Sequence, residues 1–288
     1  MGTNHAKLAA AVGLVAAPAV GVHDWSVVPF TLITAGYGLA PDLDHPGSAA
    51  ARVGGVLTAG ASRAIRSASA RLYAATAGPG DESWSGKHRH LSHTLFAAVV
   101  LGAVAGGACL LTPWAALPIY AFGLVLAADR LHPRLAPLGL VAGALMIPTV
   151  LFQPEQVSWQ IGVAVALGCA AHDLGDALTV SGCPLLWLPP PLSRLTSWRG
   201  ETWNEIRLLG PFSFHTGQAV EQRLVSPLLS VLLVIAAVPA LAPHLPPEPR
   251  VAAQVVFAAT GAALALLLAL AAATSAVQAA LRNGRSHG

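Results

Sequence analysis

Apolar stretches of a length that can cross a ~30 Å hydrocarbon core, for which a helix needs about 20 residues, recur along this chain and constrain its fold more than any motif does. They fall at roughly residues 6–22, 25–40, 94–111, 113–128, 135–152, 157–171, 227–241 and 251–273. The pattern predicts about eight apolar helices in one all-α, polytopic integral membrane helical bundle spanning residues 1–288. Composition agrees: hydrophobic residues make up 55% of the chain and charged residues 10%, with a mean hydropathy of +0.62, far from the soluble norm. The runs at 113–128 and 157–171 are short for a span, and Gly36 and Gly38 interrupt the second run. Tilted or broken helices, shielded by their neighbours, are therefore expected.

The formal charge of +3 is better explained by orientation in a membrane than by nucleic-acid binding. Alternating the helices from a cytoplasmic N-terminus puts Lys7, Arg52, Arg63, Arg66, Arg71, Lys87, Arg89, Arg130 and Arg134 on one side. Arg194, Arg199, Arg207, Arg223, Arg282 and Arg285 join them, and only Arg250 falls opposite. This is the positive-inside bias of a protein with both termini in the cytoplasm, placed in a bacterial inner membrane. Trp25, Trp114 and Trp159 then lie at outer helix ends, as in an aromatic belt. The first run imitates a signal peptide weakly, but it continues after the short "HDW" turn into a second run. An uncleaved helical hairpin is expected. Cys109, Cys169 and Cys183 are scattered without C-x-x-C spacing and read as packing residues.

Two segments break the alternation. Residues 51–86 mix Arg52, Arg63, Arg66 and Arg71 with apolar positions, the pattern of an interfacial helix whose arginines meet anionic headgroups. Residues 178–225, with Trp187, Trp198, Trp203 and the prolines at 189–191, read as a re-entrant or surface-lying stretch.

Carboxylates and histidines gather at the ends of the apolar runs. In "HDLGD", His172 and Asp176 are four apart, so on a helix they share one face and can bind one ion, while Asp173 points about 100° away. In "PDLDHP", Asp42 and Asp44 flank Leu43 with His45 adjacent, and carboxylates held that close repel unless a cation or proton intervenes. In "KHRHLSHT", Ser92 is a candidate N-cap that would fix His93 in a first helical turn while His88 reaches in from the loop. Each cluster alone also reads as ordinary helix-end or turn chemistry. Their coincidence on the one face defined by the arginines is what points to a metal centre.

The order "PDLDHP", "HRHLSHT", "HDLGDALTVSGCPLLW" resembles the YdjM-like family of predicted membrane-bound metal-dependent hydrolases, over roughly residues 3–221. The resemblance implies Asp42, Asp44, His45, His88, His93, His172 and Asp176 as the polar core, with Thr179 and Gly182 shaping the turn. His90 stands where the family usually has a small residue, so a different turn or a spare ligand is expected there. The insert at 51–86 and the C-terminal helices are not explained by the resemblance.

The expectation is a membrane-embedded hydrolase with its site at the cytoplasmic headgroup level, acting on a phosphoester of a lipid or lipid-linked substrate. Its metal would be divalent, zinc first and manganese second, with two ions conceivable from seven donors. Asp42, Asp44, His172 and Asp173 are its candidate catalytic residues, with Arg89, Arg194 and Arg199 as candidate phosphate binders. His5, Asp129, His132, His215 and Glu221 form a second tier whose more ordinary roles are caps, loops or surface. The alternatives are a transporter, whose ionisable groups would sit nearer the bilayer midplane, and a non-catalytic membrane protein with a closed structural metal site. Cysteine-accessibility labelling should find both termini and the loops around Asp44, His90 and Leu195 on the cytoplasmic side; labelling from outside would overturn both the topology and the headgroup placement.

Overall fold

The computed structural model describes residues 2–23, 26–81, 85–131, 151–197 and 200–241, with positions 141 and 144. Most of the expected helix at 135–152 and all of that at 251–273 lie outside the described residues, as do Trp25, His132, Trp198 and Arg199. Eight helices are used below: α1 (Gly2–Ala16), α2 (Val27–Tyr37), α3 (Ala49–Val53), α4 (Val56–Thr76), α5 (Leu95–Leu111), α6 (Ala116–Leu131), α7 (Pro154–Ala177) and α8 (Ser226–Leu241). Among the described residues there is no strand, only isolated bridges joining Thr179 to Phe214 and Cys183 to Ile206.

Of the expected spanning helices that fall within the described residues, not all reach the length of a span. Among the described residues, two helical stretches are long and apolar enough to cross a membrane, Pro154–Ala177 and Glu221–Val238, and Leu95–Leu111 is a shorter apolar helix. The reason is length: α1, α2 and α6 hold 15, 11 and 16 residues, below the ~20 that a span needs. Helix α7 is the spine, packed against α1, α2 and α5, with 56% of its apolar window buried, whereas the Glu221–Val238 window is 11% buried. One core joins Phe30, Ile33, Tyr37, Tyr120, Ile161 and Val165.

Glycines set how closely these helices approach. Gly36 breaks no helix; a Cβ there would lie 1.9 Å from the Gly123 carbonyl oxygen of α6, so α2 and α6 cross backbone to backbone. On the other side of the bundle a Cβ at Gly102 of α5 would lie 2.5 Å from the Gly162 oxygen of α7. Small-residue contacts of this kind are how helices associate where lipid offers no hydrophobic drive.

Helix boundaries place the polar residues. Proline 41 opens a 3₁₀ turn, Pro41–Asp44, directly after the glycine-containing end of α2. Thr94, not Ser92, caps α5, its Oγ1 accepting from Ala97 N at 3.0 Å, because Ser92 Oγ donates instead to Asp44 Oδ2 at 2.7 Å. Helix α7 runs six residues beyond the expected 171, so His172 and Asp176 ride on its last turns rather than on a loop.

The described residues of the 178–225 stretch, expected to be re-entrant or surface-lying, fold as a cap. Trp187 stacks on Trp203 with ring centroids 4.2 Å apart, and Tyr73 of α4 lies 5.5 Å from Trp203. Asp81 fixes this cap to the end of the 51–86 insert by accepting from Thr202 N and Trp203 N at 3.0 and 2.9 Å. Trp114 and Trp159 are both exposed.

Gly36→Ala should force α2 away from α6 and cost about 1 to 3 kcal/mol, the usual penalty for overpacking. Thermal unfolding in detergent should show a lower Tm for this variant than for Gly107→Ala, where a Cβ meets nothing within 4 Å.

Candidate metal centre

The ends of α2 and α7 meet the starts of α1 and α5 at one pole of the bundle, and the turn Pro41–Asp44 and the loop before α5 bring Asp42, Asp44, His88 and His93 to the same pole. Two groups there could each hold a metal ion: Asp42, Asp44, His88 and His93, and His5, His172 and Asp176. They are not separate. His93 Nε2 lies 3.2 Å from His172 Nε2, 3.4 Å from Asp176 Oδ2 and 3.9 Å from Asp42 Oδ1. His172 Nε2 is 3.8 Å from both Asp42 Oδ1 and Asp176 Oδ2.

These separations test whether a metal fits. Four ligands at ~2.0 to 2.1 Å around a tetrahedral ion stand about 3.3 Å apart, close to the spacings across this cluster. Tautomers agree with that use. His172 Nδ1 donates to the Gly38 carbonyl at 2.8 Å, which leaves the Nε2 lone pair aimed inward. His93 Nδ1 faces Ser92 Oγ at 3.1 Å and Asp44 Oδ2 at 3.5 Å, the carboxylate support that metal-ligating histidines generally have. Asp176 Oδ2 is buried without a hydrogen-bond partner. Two imidazole nitrogens and a bare carboxylate oxygen held this close could share a metal ion or a proton.

Asp176 divides its labour between its two oxygens. Oδ1 accepts from Arg89 Nη2 at 3.1 Å and lies 3.4 Å from His5 Nε2, so Oδ2 alone is free to face the histidines. His5 stacks on His172 with centroids 3.9 Å apart and packs on Gly175, where a Cβ would lie 2.8 Å from its Nδ1. Sequence reasoning kept His5 in the second tier because a lone histidine on a first helical turn carries no spacing signal; only the packing of α1 on α7 reveals it.

Asp44 is saturated in a different way. It is fully buried and accepts from His88 Nδ1 at 2.6 Å, Arg89 N at 3.1 Å and Ser92 Oγ at 2.7 Å. Burial alone would raise its carboxyl, but His93 and His88 hold it well below the usual carboxylate range. Asp42 behaves likewise: burial opposes ionisation, and His172 and His93 win. Burial disfavours the His93 imidazolium, yet Asp44 and Asp176 push its pKa up to about 9. A proton therefore competes with any metal for His93.

The remaining candidates fall elsewhere. His45 is exposed and lies against the His88 ring, 5.0 Å between centroids, outside both groups. Asp173 is fully buried, its two carboxylate oxygens unpartnered. Arg89 is spent on Asp176 and on Thr179 Oγ1 at 3.2 Å, and its φ of 58° is held by its N–H to Asp44. His90 donates from Nδ1 to the His88 carbonyl at 2.7 Å and packs edge-on against Tyr73, so it braces the loop. Thr179 Oγ1 donates to the Asp176 carbonyl at 2.7 Å and Gly182 takes φ 65°, which turns the chain sharply after α7. Asp129 pairs with Arg130, His215 and Arg194 are exposed, and Glu221 accepts from Asn4 Nδ2 at 2.8 Å and Gly217 N at 2.5 Å.

Among the described residues the chain is helical, two stretches are long and apolar enough to cross a membrane, and a buried histidine–aspartate cluster at one pole could hold a metal. The family model described as YdjM inner membrane protein matches residues 1–281, and the chain belongs to that family. No curated protein and no solved structure matches it.

Replacing Asp44 by Asn should leave the four converging atoms in place but loosen His93. Zinc affinity measured by competition with a chromophoric chelator should fall about 10- to 100-fold, the usual cost of losing a group that orients a ligand. His172→Ala should remove binding altogether.

Proposed function

We propose that this protein is a metal-dependent hydrolase of the membrane, cleaving a phosphoester of a lipid or lipid-linked substrate at the headgroup level of the cytoplasmic face. The observation that carries the reading is the convergence of His93 Nε2, His172 Nε2, Asp42 Oδ1 and Asp176 Oδ2 beside a histidine that reaches solvent. A structural zinc site has all four positions filled by protein, whereas a catalytic one has three protein ligands and a position for water; buried His93, His172 and Asp176 supply the three here. Here the Asp42 side chain is 27% exposed and that of His88 35%, so one side of the cluster is open.

The donor set of two imidazoles and two carboxylates suits zinc, with manganese as the alternative. One divalent ion held there would polarise a phosphoryl oxygen and lower the pKa of water. Asp44 accepts hydrogen bonds at both oxygens, which favours an orienting role over that of ligand to a second ion. One ion per chain is the expected stoichiometry.

His88 is the residue placed to move the proton. Its Nδ1–H is fixed on buried Asp44, leaving Nε2 to accept a proton from the attacking water as the new phosphorus–oxygen bond forms. The same nitrogen can return that proton to the departing alkoxide. Asp173, sealed from water, is a poor base, and support for Arg89 as a phosphate binder is reduced by its ion pair with Asp176.

Purified protein should hydrolyse lipid phosphoesters and lose activity with chelator. His88→Ala should lower kcat by about 10²- to 10⁴-fold with metal content unchanged. Retained metal without hydrolysis of lipid, phosphodiester or peptide substrates by the unaltered protein would instead favour a structural metal site.

A further inference from the structure

His5 has a second neighbour besides the cluster: it lines a cavity of about 420 Å³ between α1, α7 and α8, within the ~300 to 1,000 Å³ of small-molecule sites. The cavity is a slot. Helix α1 lines it with Asn4, Leu8, Val12 and Val15, a stripe about 16 Å long at 1.5 Å per residue. Val225, Leu229, Leu232 and Ala236 line it from the opposite wall with the same helical spacing. Helix α7 contributes only its final turns, Ala171, Leu174 and Gly175.

Polar side chains occur at one end only. Asn4 and Glu221 are bonded to each other, which leaves His5 as the group through which the slot meets the cluster: its ring stacks on His172 and its Nε2 faces Asp176. The wall is widened at that end, where Glu221–Val225 forms a π-helical turn, a departure often found at functional sites. Lys7 Nζ ties α8 to α1 through Ser226 Oγ at 3.1 Å and Ser230 Oγ at 2.8 Å, keeping the two walls parallel.

We propose that this slot receives one hydrocarbon chain, acyl or prenyl, of an amphiphilic substrate whose headgroup rests at His5. The identity of the headgroup chemistry rests on the hydrolase reading; the binding of a chain does not. A polar ligand would lose its hydrogen bonds along the apolar walls. A hydrocarbon chain loses none, and one wall of the slot belongs to Glu221–Val238, a stretch long and apolar enough to cross a membrane, where such chains are the solvent.

The test uses the full chain in nanodiscs containing phosphatidylglycerol with a diazirine midway along one palmitoyl chain. Photolysis and peptide mapping should place adducts on Val12, Leu229 or Leu232. Val12→Trp, which fills the slot, should cut adducts at the opposite wall at least tenfold while leaving those at exposed Val104 of α5 and the bound metal unchanged. Should Val12→Trp not yield monodisperse protein, Leu232→Phe serves in the same comparison, with adducts read at Val12. Adducts that persist in the filled variants, or that occur only at positions such as Val104, would overturn the proposal and point to residues 242–288 or a second copy as the occupant. Slot labelling without lipid hydrolysis would sink the hydrolase reading alone; lipid hydrolysis without slot labelling would sink the chain-binding inference alone.

Discussion

Of the carboxylates withdrawn from water at one pole of the bundle, Asp44 and Asp176 are the two around which hydrogen-bond donors and cationic side chains gather. An uncompensated buried carboxylate is very costly. Asp44 meets this cost with donors from a single loop, since His88, Arg89 and Ser92 are near neighbours in sequence. Asp176 draws on distant parts of the chain, with Arg89 and His5 at one oxygen and His93 and His172 near the other. Because Arg89 contributes to both, by its backbone to Asp44 and by its side chain to Asp176, the two halves of the cluster cannot form independently.

This coupling explains a backbone feature that would otherwise be unfavourable. Arginine at φ 58° is uncommon because the left-handed region crowds its Cβ. Here the conformation turns the N–H toward Asp44 while the side chain extends to the end of α7. Strain at a residue with several simultaneous partners is tolerated when the surroundings determine it. The loop between α4 and α5 therefore owes its shape to the charges it serves rather than to any repeating backbone hydrogen bonds.

Much of this was legible in the sequence, for reasons that differ by residue. The i, i+4 spacing of His172 and Asp176 places them on one face of any helix, and that helix exists. The Asp-Leu-Asp turn after Pro41 was readable because proline stops one helix and starts a short one. Less was legible where tertiary contact decides. Ser92 looked like a cap, but a buried carboxylate outbid the backbone for its hydroxyl. The stretch carrying Trp187 and Trp203 reads as re-entrant or surface-lying, and only the folded chain shows these two rings buried and stacked on each other. Among the described residues, apolar runs overstated the spans because helices sheltered by neighbours can be apolar at any length, so α1 and α2 are apolar without the reach to cross.

The aromatic packing of the cap has a consequence for how the pole is built. His90 leans on Tyr73 and Trp203, and its ring nitrogen holds the carbonyl of His88, so part of the floor under the most accessible histidine of the cluster is supplied by Trp203, more than a hundred positions further along. A chain ending with α7 would contain every donor of the cluster and still lack the Trp203 half of the support beneath His88. The order of synthesis then matters: the donors emerge first, the scaffold that aligns them emerges last, and the pole is completed only when the chain after α7 folds back over what it has already made.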